Sequence, residues 1–255
     1  GWDGAVISDW GAVHDTRTAV SGGLDMEFGS WTNGLSNGAS NAYDNYFLAN
    51  PYLKGIQDGT YSTTELDDKV RRVLRLTLRT AMDRNRPFGS MGSDEHVRAC
   101  REIGADGVVL LQNRDNLLPL NLDGKKKIAV IGENAIKMMT VGGGSSSLKA
   151  RYEITPLDGL KSRIGDKADI VYARGYVGDP TGEYNGVVTG QNLDDPRSPE
   201  ELRDEAVRVA KDADIVLFFG GLNKSNHQDC EDTDRESLDL PYGQNELIEA
   251  IAAAN

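Results

Sequence analysis

From residue 127 onward, short apolar runs alternate with amphipathic ones. Ile128-Ala129-Val130-Ile131, Ile170-Val171-Tyr172 and Ile215-Val216-Leu217-Phe218-Phe219 are brief and apolar throughout, the pattern of strands covered on both faces. Between them, Leu157 to Ile164 and Ser198 to Lys211 read as helices. The second carries a full start signal, with Ser198 as cap, Pro199 at the first helical position and Glu201 placed to close a capping box. A further helix is expected from about Gln244. Strands alternating with capped helices predict an α/β domain around a doubly wound, mostly parallel sheet.

Upstream the pattern is less regular. Ala5-Val6-Ile7-Ser8 predicts a short strand that runs straight into Asp9-Trp10, and Gly22 to Glu27 a second that ends in carboxylates. Residues 29–50, rich in Gly, Ser, Asn and aromatics, read as a surface loop. Ser62 and Glu65 have capping-box spacing at the head of a helix in which Leu66, Val70, Val73, Leu74 and Thr77 recur at helical spacing. Its Arg71, Arg72, Arg75 and Arg79 suit the negative pole of the helix dipole. Residues 83–93 form a Gly- and Pro-punctuated joint, a candidate domain boundary. A helix over about 94–104 then leads to the apolar Val108 to Leu111.

Composition narrows the classes. A length of 255 residues allows one large domain or two of moderate size. With 38% hydrophobic and 27% charged residues the chain is globular, and no apolar run reaches the roughly 18 residues of a membrane span. A net charge of −12 argues against nucleic acid and against an anionic membrane surface. Cys100 and Cys230 read as two free thiols, and His14, His96 and His227 are too scattered for a zinc site. The chain opens on Gly1 beside a strand and stops at Asn255 inside an apparent helix, so the expectation is a piece of a longer protein.

Three constellations could carry chemistry. A carboxylate where a buried strand ends lies where parallel α/β folds place their reactive groups, so Asp9 is the first. Trp10 beside it offers a flat apolar surface of the kind a sugar ring packs on. The plainer reading is that Asp9 caps a turn and Trp10 is core. The second is the loop after Phe219, with Asp229, Glu231, Asp232, Asp234 and Glu236 around Arg235. Crowded carboxylates raise one another's pKa, which can keep one protonated near neutrality. A solvated acidic loop is the alternative, and metal binding a weaker one, because the calcium-loop spacing is lacking. The third is Gly142 to Ser147, a Gly/Ser loop without a phosphate-binding fingerprint. Nucleotide binding is therefore not expected, and no cofactor is called for.

Taken together, the blocks GWDGAVISDWGAVHD (1–15), GGLDMEF (22–28), LDDKVRRVLRL (66–76), IGADGVVLLQN (103–113), ITPLDGL (154–160) and DRESLDLPYGQNELI (234–248) resemble glycoside hydrolase family 3. The resemblance implies the C-terminal part of a (β/α)8-type barrel over residues 1–84, a linker and lead-in helix over 85–126, and an α/β sandwich over 127–255, incomplete at its end. It also implies a retaining, exo-acting β-glycosidase, first a β-glucosidase and next a β-xylosidase or exo-glucanase. A non-catalytic sugar-binding relative is the alternative from another class.

By that resemblance Asp9 is the nucleophile, Trp10 its sugar-stacking neighbour, and Glu231 the acid/base, with Asp229 able to take that place. Ser145 matches a serine that reaches the sugar in some relatives. The substrate would be a β-linked oligosaccharide or aryl glycoside, met in the periplasm or outside the cell. The groups that bind the terminal sugar's hydroxyls would lie upstream of residue 1, so these 255 residues alone are expected to be inactive.

Overall fold

The computed structural model of the chain describes residues 2–28, 44, 46–140, 148, 150–178, 183–184, 187–188, 191–223, 228 and 234–255. They form two compact units, residues 1–109 and 110–255, each taken by itself below.

In the second unit the apolar runs are the strands they predict. β1 (Lys126–Ile131) lies between β2 (Ala168–Ala173) and β5 (Ile215–Phe218), parallel to both. A short antiparallel pair, β3 (Glu183–Tyr184) with β4 (Val187–Val188), falls between β2 and β5 in the chain. Alternation along β1 divides its side chains between two cores. Ile128 and Val130 pack with Leu157 and Ile164 of helix α5 (Pro156–Ile164). Ala129 and Ile131 pack with Ala206 and Ala210 of α6 (Pro199–Lys211) and with Leu247 and Ile251 of α7 (Gln244–Ala254). Each fully buried Ile or Leu here contributes about 1.5–3 kcal/mol relative to an exposed one. The chain thus leaves β1 through α5 on one face, reaches β2, and returns through α6 on the other face to β5. The sheet is doubly wound, as its strand and helix pattern indicates.

Strand order reverses at β1, so the crevice at the carboxyl ends of β1 and β5 is a topological switch point. Gly132 makes the tight approach there possible. Its φ is +120°, and a Cβ on it would lie 2.0 Å from the Phe219 carbonyl oxygen. The predicted capping box of α6 is present in full: Ser198 accepts from the Glu201 N–H, and the Glu201 carboxylate accepts from the Ser198 N–H.

The first unit holds α1 (Thr16–Ser21), α2 (Asn50–Gln57), α3 (Thr63–Arg79) and α4 (Asp94–Asp106). Ile7 pairs in parallel with Met26. The Ser8 N–H bonds to the Met26 carbonyl at 3.0 Å, and the N–H of Met26 to the Val6 carbonyl at 3.1 Å. The two expected strands therefore meet side by side, over a shorter length than the pattern indicates. Val13, Ala19 and Phe47 form a buried cluster against which Leu24 and Leu48 pack.

α3 buries a lysine and leaves apolar positions exposed. Leu66, Val70 and Leu74 are exposed, while Lys69 is buried and donates to the carbonyls of Leu24 (2.6 Å) and Val20 (3.4 Å). Burial pushes the Lys69 ammonium below its ordinary pKa, an effect that nearby Asp25 opposes. The basic side chains have a use beyond the dipole: Arg72 reaches the Gly4 carbonyl at 3.0 Å and Arg75 the Asp3 carbonyl at 2.8 Å. Ser62 caps α3 through the Thr64 N–H, and Glu65 takes the Ser62 hydroxyl instead of the backbone N–H a capping box requires.

Among the described residues, no helix is long and apolar enough to cross a membrane. No cluster of His, Cys, Asp or Glu among them is suited to holding a metal ion.

Candidate active site

Asp9 stands where the Ala5–Ser8 segment leaves its pairing with residues 24–28. Three contacts fix that segment from its neighbour. Asp25 accepts the Val6 N–H at 2.7 Å, Ser8 Oγ accepts the Phe28 N–H at 2.8 Å, and the backbone bonds through Met26 complete the pairing. With α3 holding the carbonyls of Asp3 and Gly4, the chain into Asp9 is tied on both sides. Glu27 works on the next turn out, its carboxylate accepting the N–H groups of Phe47 (3.1 Å) and Leu48 (2.7 Å).

The Asp9 carboxylate is exposed and accepts its neighbour's N–H, from Trp10, at 2.7 Å. Trp10 is 68% exposed, so it is not the core residue that the plainer reading of the sequence made it. Its ring lies against Phe28, centroids 5.7 Å apart and planes tilted by 39°. The result is an exposed carboxylate beside an apolar two-ring surface. That combination suits a group that must attack carbon while the apolar face of a ring is held close by. Phe28, which the sequence reading did not single out, belongs to this surface. Its signal was its place at the end of the second strand.

In the second unit, buried polar groups gather at the carboxyl ends of β1 and β2. Glu133 follows β1 and Arg174 follows β2; the Glu133 carboxylate accepts from Arg174 at 2.8 Å and from the Gly178 N–H at 2.7 Å. Lys137 Nζ lies 3.8 Å away, on the other carboxylate oxygen. Arg174 continues to Asp195 at 3.3 Å, and Asp195 to Arg197 at 2.7 Å. The Arg197 guanidinium holds the Asp195 carboxyl well below the usual carboxylate range. A depressed folded-state pKa means that the stabilisation is present above the ordinary range and is lost only as pH falls through the folded value.

This network was missed at the sequence level, although the rule that picked out Asp9 applies equally to Glu133, a charge where an apolar strand ends. Removing one partner of a buried pair leaves the other uncompensated, at a cost of about 3–5 kcal/mol. Arg174→Met is therefore expected to lower urea-unfolding stability of the second unit by about that amount, read by circular dichroism. Lys125→Ala, which breaks an exposed pair with Asp169, is expected to cause no measurable shift.

Ser145, Asp229 and Glu231 lie outside the described residues, as does the whole Gly142–Ser147 loop. What the structure does show of the loop after β5 is its anchorage. Gly221 is held by Gln244 of α7, its N–H at 2.7 Å from Oε1 and its carbonyl at 3.1 Å from Nε2. The Asn223 N–H donates to Gln228 at 3.0 Å.

The second unit is thus a parallel, doubly wound α/β unit with an anchored polar loop beyond its strand ends, and the first carries a strand-end carboxylate beside paired aromatic rings. The chain belongs to glycosyl hydrolase family 3: residues 108–255 match the Glycosyl hydrolase family 3 C-terminal domain. It is 45% identical over 260 residues to Beta-glucosidase BoGH3A of Bacteroides ovatus, covering 100% of this chain and 34% of that protein. It is 32% identical over 286 residues to the Periplasmic beta-glucosidase of Salmonella typhimurium, covering 99% and 34%. The Exo-alpha-(1->6)-L-arabinopyranosidase of Bifidobacterium longum is also 32% identical, over 263 residues that make up 100% of this chain and 30% of that protein.

Among solved structures, the GH3 beta-glucosidase of Bifidobacterium adolescentis superposes with a TM-score of 0.72 at 30% identity, over 100% of this chain and 32% of that one. The Streptomyces venezuelae beta-glucosidase DesR gives 0.73 at 21% identity, covering 100% and 43%, a likeness of fold. The chain spans about a third of the length of the curated relatives it matches.

Proposed function

We propose that the whole protein is a retaining, exo-acting β-glucosidase. It would remove terminal non-reducing β-D-glucosyl residues from β-linked oligosaccharides or aryl glucosides, in the periplasm or outside the cell. In this reading residues 1–84 close a (β/α)8-type barrel, 85–126 link it to the next domain, and 127–255 belong to an α/β sandwich. The observation that carries the proposal is the exposed Asp9 carboxylate at its strand end, beside the Trp10–Phe28 pair, in a chain of this family.

Asp9 attacks the anomeric carbon while the sugar's apolar face rests on Trp10. Glu231 protonates the leaving oxygen, then takes a proton from the water that releases the sugar from Asp9. Asp229 is the alternative for that second role, and Ser145 is assigned to contact with the sugar. Retention by this route requires the two carboxyl groups to stand about 5–5.5 Å apart in the substrate-bound whole protein.

Specificity is tested with a panel of aryl β-D-glucoside, β-D-xyloside and α-L-arabinopyranoside on the whole protein. The last is included because of the arabinopyranosidase relative. The glucoside is expected to lead the xyloside, which lacks the hydroxymethyl group, by at least about 10-fold in kcat/KM. A leading xyloside or arabinopyranoside would move the specificity while leaving the chemistry. Tight monosaccharide binding with no turnover of any substrate would overturn the enzymatic reading in favour of a sugar-binding relative.

A further inference from the structure

We infer that Gln228, Tyr242 and Gln244 form a clasp that positions the acid/base of the loop after β5. The inference rests on the assignment of that role to Glu231 above.

The loop leaves β5 through Gly220 and Gly221 and returns to α7 at Tyr242. Buried amides grip its first residues. Gln244, fully buried, satisfies both the N–H and the carbonyl of Gly221. Asn134, also buried, reaches the carbonyls of Gly221 and Leu222 at 3.4 Å each. Further along, Gln228 is 6% exposed; its Oε1 accepts the Asn223 N–H and its Nε2 donates to the Tyr242 hydroxyl. Tyr242 stacks on Tyr176, centroids 6.2 Å apart and planes 10° from parallel. Tyr176 is itself pinned, its hydroxyl donating to the Phe219 carbonyl at 3.2 Å and accepting the Asn134 N–H at 3.3 Å. The first residues of the loop and a point seven residues beyond Gly221 are thus tied to one place, the start of α7.

The backbone at that place is set for the task. Tyr242 has φ +63° and Gly243 φ +69°, two left-handed residues in succession, and a bulky side chain takes that conformation only when its surroundings impose it. The turn aims Tyr242 and Gln244, on either side of Gly243, at the same loop. Buried amide hydrogen bonds fix a backbone position in a way that apolar contact does not, because each loses its full value when the partner shifts. Gln228 precedes Glu231 by three residues, a reach of at most about 10 Å. An anchor at that distance restricts where the carboxyl can stand without touching substrate, which makes these three residues positioning residues.

The test is Tyr242→Phe in the whole protein. This change keeps the ring stack and removes only the hydroxyl that Gln228 grips. Two substrates are compared: cellobiose, whose leaving group needs a proton, and 2,4-dinitrophenyl β-glucoside, whose leaving group needs none. The expected result is a fall of about 10–100-fold in kcat/KM for cellobiose, with less than about threefold for the dinitrophenyl substrate. Gln228→Met is expected to give the same split. A uniform fall on both substrates, or no fall on either, in both variants would overturn the clasp. Glu231→Ala run beside them separates the two claims. If it shows the split and the clasp variants do not, the clasp alone fails; if it shows none, the assignment of Glu231 fails and the clasp inference with it.

Discussion

Asp9→Ala in the whole protein is expected to lower kcat on an aryl β-glucoside by about four to six orders of magnitude, the range seen when the nucleophile of a covalent mechanism is removed. Affinity for the substrate should change little, because the Trp10–Phe28 surface does not depend on the carboxylate. The fold should also be spared: the Asp9 side chain is exposed, and the hydrogen bond it makes is to its own neighbour. Added azide would restore turnover by attacking from the face that Asp9 has vacated, and the product would be the α-glucosyl azide. Steady-state kinetics and product stereochemistry check both parts. Retention of more than about a tenth of wild-type kcat would remove Asp9 from the mechanism.

Glu231→Ala should fail differently. An unactivated disaccharide should lose about 10²–10⁴-fold, the usual contribution of a positioned general acid. An activated aryl glucoside should still form the glycosyl-enzyme and then stall, because no base remains to activate water. Azide would rescue this second step from the opposite face and give the β-glucosyl azide. Near-normal hydrolysis of cellobiose by Glu231→Ala, with the loss appearing in Asp229→Ala instead, would pass the role to Asp229.

The second unit was legible in the sequence because its signals were local. Ser198, Pro199 and Glu201 specify the start of α6 within four residues. The β1, β2 and β5 runs are apolar because both their faces are covered, by α5 on one side and by α6 and α7 on the other. α3 was read correctly as a helix, but which of its residues are buried was not legible. Periodicity marks an apolar stripe and cannot show that Lys69 will be drawn inward by the carbonyls of Val20 and Leu24, more than forty residues away in the chain.

The same limit applies to the site. Asp9 could be singled out because a strand pointed at it. Glu133 also stands where an apolar strand ends, but Arg174 and Gln244 draw their meaning from partners on separate strands and helices, and no spacing in the sequence announces them. Gln244 lies inside a block that carries the family resemblance, but only its contact with Gly221 gives it a role.

The central claim is that Asp9 forms the covalent bond to sugar. It is tested most directly by incubating the whole protein with 2,4-dinitrophenyl 2-deoxy-2-fluoro-β-D-glucoside, which forms the glycosyl-enzyme quickly and releases it slowly, followed by peptide mapping by mass spectrometry. The account predicts one fluoroglucosyl group on the peptide that contains Asp9, absent in Asp9→Ala. A label on another carboxylate, or full turnover with no label at all, would contradict it.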